Sequence, residues 1–152
     1  MNSALVQLQA LTAEHVLVLD IPPDLPPIFC DEQRIGQVLT NLVGNAAKFA
    51  PTGSQVTISA HQSGEMVQVD VADQGPGIPP EYRSSIFEAF RQVENGTDSL
   101  TTGAGLGLAI CKGLVEAQNG KIWVQDQSAP GTIMSFTLPV WKERVTNETR
   151  EW

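Results

Sequence analysis

Basic residues are scarce in this sequence: 9 lysines and arginines stand against 17 aspartates and glutamates, for a formal net charge of −8. A general nucleic-acid surface needs a basic stripe, so this balance argues against one, and it disfavours docking on an anionic membrane. Phosphates can still be bound where local groups neutralise them. Cysteine is nearly absent. Cys30 and Cys111 lie far apart, in neither a CxxC pair nor a Cys/His cluster. That argues against a zinc site and fits two buried thiols in a reducing cytoplasm better than a disulfide. No apolar run approaches the roughly 20 residues that cross a bilayer. Met1-Asn2-Ser3 opens no signal peptide. Any membrane anchor of a parent protein is therefore expected outside this chain.

What is present suits a single folded unit. The chain has 152 residues, 41% of them hydrophobic, enough to bury a substantial core. No repeats interrupt it. We expect an N-terminal segment or linker-helix end over 1–14, a main domain over 15–140 and a charged tail over 141–152. Leu5 to Glu14 reads as a short helix and His15 to Pro22 as a strand. Pro22, Pro23, Pro26 and Pro27 make a stiff connector. Asp31 is placed as an N-cap for a long helix that Pro51 and Gly53 stop near Phe49. Two alternating strands follow, SQVTISAHQ and EMVQVDVAD, joined at Ser63-Gly64. Glu81 to Phe90 reads as a short helix. Arg91 to Thr102 is polar and reads as a mobile lid. The segment GAGLGLAICKGLVEAQNG is a glycine-rich entry into a helix ending near Asn119-Gly120, where asparagine tolerates a left-handed backbone. KIWVQDQ and GTIMSFTLPV close the chain as two strands. This order predicts an α+β fold: a two-layer α/β sandwich with a mixed, mostly antiparallel sheet and helices on one face.

Three constellations carry chemistry. On the long helix, Ile35, Val38, Leu39, Leu42, Val43 and Ala46 form the apolar face. Beside it Arg34, Gln37, Asn41, Asn45 and Lys48 share a stripe roughly 80° wide at about 100° per residue. A solvated face explains Arg34 and Gln37. It explains less well two asparagines at i, i+4 inside a helix, where asparagine is a mediocre former. Two amide oxygens one turn apart can hold a hard cation or its waters, and a lysine one turn further on can reach a phosphate. Second, Asp73 continues the parity of Val67, Val69 and Val71, so it faces the apolar side. A carboxylate there needs a partner. It is either a turn cap or the acceptor for an exocyclic amine such as that of adenine. Gly75 and Gly77 would let backbone approach a flat ring. Third, Gly103, Gly105 and Gly107 open a helix, a setting that attracts phosphate. No strand directly precedes them, which disfavours a Rossmann fingerprint, and the P-loop spacing is absent.

In this order the motifs resemble those of the catalytic and ATP-binding domain of bacterial sensor histidine kinases, within the Bergerat-type ATPase group that includes gyrase and Hsp90. DEQRIGQVLTNLVGNAAKF resembles that family's N box, DQGPGIP its first glycine box, FEAF its F box and GAGLGL its second glycine box. The likeness runs from about Asp31 to Pro139.

The resemblance implies ATP and Mg2+ as ligands. It implies that Asn45 coordinates the metal, that Asn41 lines the same site and that Lys48 contacts phosphate. Asp73 would read the adenine amino group. Gly75, Gly77 and Ile78 would shape the adenine pocket, and Phe87 and Phe90 would anchor the lid or simply pack in the core. Thr102, Gly103, Gly105, Leu106, Gly107 and Leu108 would form the phosphate cradle and lid hinge. Hydrolysing relatives carry a glutamate where Asn41 stands, and an amide cannot take a proton at neutral pH. Slow hydrolysis is therefore expected, with the γ-phosphate kept for a histidine. His15 and His61 both fit that acceptor role poorly, since neither stands in the expected helical context. The acceptor is expected on a dimerising helical hairpin in a separate domain. The resemblance further implies an indirect link to a response regulator, a cytoplasmic location, a monomeric fragment and a homodimeric parent.

Overall fold

The computed structural model describes residues 2–28, 30–88, 106–125 and 131–141. In chain order they form helix α1 (Asn2–Leu11), strand β1 (Val16–Asp20), helix α2 (Glu32–Phe49) and strands β2 (Gln55–Ser63) and β3 (Met66–Asp73). Helix α3 (Leu106–Ala117) and strands β4 (Ile122–Val124) and β5 (Thr132–Pro139) follow. The strands make one sheet in the order β1-β2-β3-β5-β4. The β1–β2 pair is parallel and the other three are antiparallel. Because β1 and β2 run parallel, the chain must cross back between them, and α2 is that crossover. The α+β, mixed-sheet expectation matches this architecture.

Helix α2 forms where its pattern and caps place it. The Asp31 side chain accepts from the backbone N–H groups of Gln33 and Arg34, satisfying donors that a first turn leaves open. Ile35, Val38, Leu42, Val43 and Ala46 are buried. Ala50 ends the helix in an extended conformation just before Pro51. The buried face packs on β2 and β3, with α1 and α3 on either side.

The sheet alternation follows the pleat. Val67, Val69 and Val71 register with Leu138, Phe136 and Met134 of β5, on the face the helices cover. The opposite face carries a polar cluster. There the Asp70 carboxylate accepts from Gln68 Nε2 at 2.9 Å, Gln125 Nε2 at 3.2 Å and Ser135 Oγ at 2.5 Å. This clip spans β3 and β5 and reaches Gln125, just past β4. Ser135 is fully buried within it. His61 projects to the same face, as its parity predicts; it is exposed, with Nδ1 4.0 Å from Asp70 Oδ2.

Several boundaries differ from expectation. The first helix begins and ends earlier, and Thr12 closes it, its hydroxyl donating to the Leu8 carbonyl at 2.8 Å. The expected helix over Glu81–Phe90 is instead two short 3₁₀ turns, Pro80–Tyr82 and Ser85–Phe87. Their bonds run i to i+3, and Glu88 turns extended at once. Strand β4 is shorter than KIWVQDQ. Asn119 adopts a left-handed φ of 68°, as its sequence position predicts. The lid segment, Phe90, Thr102, Gly103 and Gly105 lie outside the described residues, as does most of the tail.

Candidate nucleotide site

The stripe on α2 meets other parts of the fold at two points. At its middle, Asn41 Nδ2 lies 3.5 Å from the Gly107 carbonyl at the start of α3. A Cβ on Gly107 would sit 4.0 Å from Asn41 Cγ. Behind this contact is Cys111, fully buried, with Sγ 3.8 Å from the Val38 carbonyl. Burial pushes its thiol pKa up to about 11, partly offset by the Asn41 amide. Asn41 and Asn45 are both half-buried. Asn45 makes no side-chain hydrogen bond with another described residue. Lys48 is exposed, with Nζ 5.8 Å from the centroid of the Phe49 ring.

At its C-terminal end, α2 meets the loop after β3. The Phe49 carbonyl oxygen would lie 3.1 Å from a Cβ on Gly75, and Asp73 Oδ1 would lie 3.0 Å from it. A Cβ there would force these neighbours to give by a few tenths of an ångström, so glycine suits the close approach of loop and helix. Asp73 Oδ1 accepts from the Gly75 N–H at 2.7 Å, and the backbone of Thr132 also bonds this carboxylate. Desolvation nevertheless dominates and raises its pKa above the ordinary aspartate value. Asp73 is the last residue of β3 and registers opposite Thr132.

A second loop supports the first. Gly131 has φ +105°, and a Cβ there would fall 2.3 Å from the Asp73 carbonyl oxygen. Ile78 and Leu108 are partly buried against the core, and Phe87 is buried within it. The sequence reading placed Asp73 and the Gly75 loop but missed Gly131 and Thr132. Their one signal was a Gly-Thr pair opening the final strand.

Asn41 thus meets the N-terminus of α3, and the C-terminal end of α2 meets the Asp73–Gly75 loop through the Phe49 carbonyl. Residues 30–142 match the family described as histidine kinase-, DNA gyrase B- and HSP90-like ATPase. The chain belongs to this family. Among its relatives, the adaptive-response sensory kinase SasA of Prochlorococcus marinus is 44% identical over 126 residues, covering 82% of this chain. SasA of Synechocystis is 41% identical over 127 residues, covering 83%. The chain spans 33% of the length of each. Among solved structures, the mycobacterial sensor histidine kinase MprB superposes with a TM-score of 0.77 at 29% identity, over 91% of both chains. Full-length ShkA in complex with AMPPNP gives 0.72 at 34% identity, over 89% of this chain and 29% of that one. The ATPase-family fold is therefore shared along nearly the whole chain, and with it the nucleotide-binding character of the domain. Among the described residues, no helix is long and apolar enough to cross a membrane.

Proposed function

We propose that this chain is the ATP-binding catalytic domain of a sensor histidine kinase, and that it passes the γ-phosphoryl group of Mg·ATP to a histidine on a separate dimerising domain. The observation that supports the reading is that α2 is met at two points by loops of the kind the site needs. A half-buried carboxylate in a glycine loop stands beside its C-terminal end, and an amide bonded to the opening backbone of α3 stands at its middle.

Asp73 accepts a hydrogen bond from the adenine amino group, where guanine offers an oxygen. Gly75, Gly77 and Ile78 form the surface on which the ring lies. The N-terminus of α3, with Gly107 and Leu108, faces the phosphates; the family resemblance gives the cradle role also to Leu106 and to Thr102, Gly103 and Gly105, which lie outside the described residues. Phe87 packs in the core, and the family resemblance gives it and Phe90 the role of anchoring the lid.

The donor set suits Mg2+. Asn41 turns its amide nitrogen to the Gly107 carbonyl, which leaves its oxygen for a ligand. Asn45 offers a half-buried amide that no described residue occupies. Asn45 and Asn41 would hold the metal or its waters, and the ion would neutralise charge on the phosphates. Lys48, in no ion pair with another described residue, would meet a phosphate oxygen. Phosphoryl transfer mostly needs positioning and charge neutralisation. Asn41 supplies no base for water, so the γ-phosphate waits for the acceptor. In the parent protein, a homodimer, the phosphorylated histidine would serve a response regulator.

Calorimetric titration with a non-hydrolysable ATP analogue tests the site. Tight binding that needs Mg2+ is expected, and Asp73→Asn should weaken it at least about five-fold, the equivalent of about 1 kcal/mol. Unchanged affinity removes Asp73 from the adenine role. Labelled ATP mixed with this chain and the parent's dimerising hairpin tests the reaction. Tight nucleotide binding without transfer refutes the kinase reading, and turnover near one per second without an acceptor would make the chain an ATPase.

A further inference from the structure

The turn between α2 and β2 is held from two sides. On one side lies the junction of α1 and β1. His15 Nε2 donates to the Ala50 carbonyl at 3.2 Å, the Gly53 N–H donates to the Glu14 carbonyl at 2.7 Å, and the Val16 N–H donates to the Ser54 carbonyl at 2.9 Å. On the other side lies the adenine loop. The Gln55 N–H donates to Gln74 Oε1 at 2.8 Å, and Gln74 stands between Asp73 and Gly75. The Phe49 carbonyl, one residue before Ala50, abuts Gly75.

His15 is an unusual choice for this place. Its Nδ1 is enclosed and has no hydrogen-bond partner among the described residues. A buried ring nitrogen without a partner costs free energy. An apolar side chain would fill the space without that cost, but would lose the bond to Ala50. Ala50 is the C-cap residue of α2, so its carbonyl is among those the helix leaves open.

We infer that His15 is a positioning residue for the nucleotide site: through Ala50 it fixes the end of α2 against which the Asp73–Gly75 loop is set, and Gln74 ties that loop to the same turn. This inference rests on the nucleotide reading above for its effect on binding. The geometry makes a second claim that needs no nucleotide. Loosening Ala50 loosens the seat of Gly75, whose N–H is held by Asp73.

The test compares the parent chain with His15→Leu and His15→Gln. Glutamine can present an amide N–H near the place of Nε2; leucine cannot. Two readouts are taken: Mg2+-dependent affinity for a non-hydrolysable ATP analogue, and hydrogen exchange at the Gly75 amide without nucleotide. His15→Leu is expected to weaken affinity about five-fold and to speed Gly75 exchange by a similar factor, the size expected for one net hydrogen bond. His15→Gln should restore both to within about two-fold. Unchanged exchange and affinity in His15→Leu overturn the inference, and so do equal losses in both variants, which would mean that ring packing alone matters. Faster Gly75 exchange in His15→Leu, with a parent that binds no nucleotide, supports the positioning role and sinks the nucleotide reading. If His15→Leu does not fold, Gln74→Met probes the same bracket from its other side. The same losses are expected, and their absence overturns the inference.

Discussion

Asp73 is asked to be half-buried and charged together. Burial raises its pKa, while the bonds from the Gly75 and Thr132 backbones lower it less than burial raises it. In the nucleotide-free domain the charged form therefore costs stability above the raised folded pKa. As pH falls through that value the native state takes up a proton that the unfolded chain still lacks, and the cost is relieved. The stability difference between parent and Asp73→Asn should accordingly shift in favour of the parent as pH is lowered from 7 into the carboxylate range. Denaturant unfolding at several pH values measures it, and a shift in the opposite direction would show that the bonds outweigh burial. The same substitution is expected to weaken nucleotide binding, so the proposed function and stability would pull this residue in opposite directions.

At the scale of elements, α2 was legible because everything that makes it a helix is local: a 3.6-residue apolar period, an aspartate before it and a proline after it. The two 3₁₀ turns were not. Tyr82, Ile86 and Phe87 have helical spacing, but Pro80 and the extended Glu88 confine the segment to short i to i+3 turns. The strands were legible from alternation, and Asp73 from its parity. The Gly131–Thr132 loop was not, because its value lies in which residues it meets far along the chain. The polar clip on the uncovered face was hidden for the same reason. Asp70, Ser135 and Gln125 each look like ordinary outward residues, and only the strand order brings them together. Ser135→Ala should cost about 1–2 kcal/mol, since it removes the short bond to Asp70 from a fully buried position. Chemical denaturation checks this, and a change within about 0.5 kcal/mol would class the clip with tolerant surface contacts.

For the whole molecule strand β5, paired with β3 on one side and β4 on the other, matters most. Phe136 is fully buried in the middle of β5, opposite Val69 on one side and Ile122 on the other. It belongs to the same core as Val38, Leu42 and Val43 of α2 and Val115 of α3. Phe136→Ala should therefore lower unfolding free energy by about 3–5 kcal/mol. Calorimetry should show one transition at lower temperature, because helices and sheet share that core; two separate transitions would show that they melt apart.

The pairing of residues 66–73 with 132–139 also bears on how the domain comes into being. During synthesis Asp73 leaves the ribosome long before Thr132. A nascent chain halted ahead of Gly131 has the carboxylate, but lacks the loop that closes on its carbonyl and the backbone contact from Thr132. Completion of this loop thus waits for β5 to zip onto β3, so a truncated translation product holds the whole of α2 and still lacks a finished Asp73–Gly75 loop.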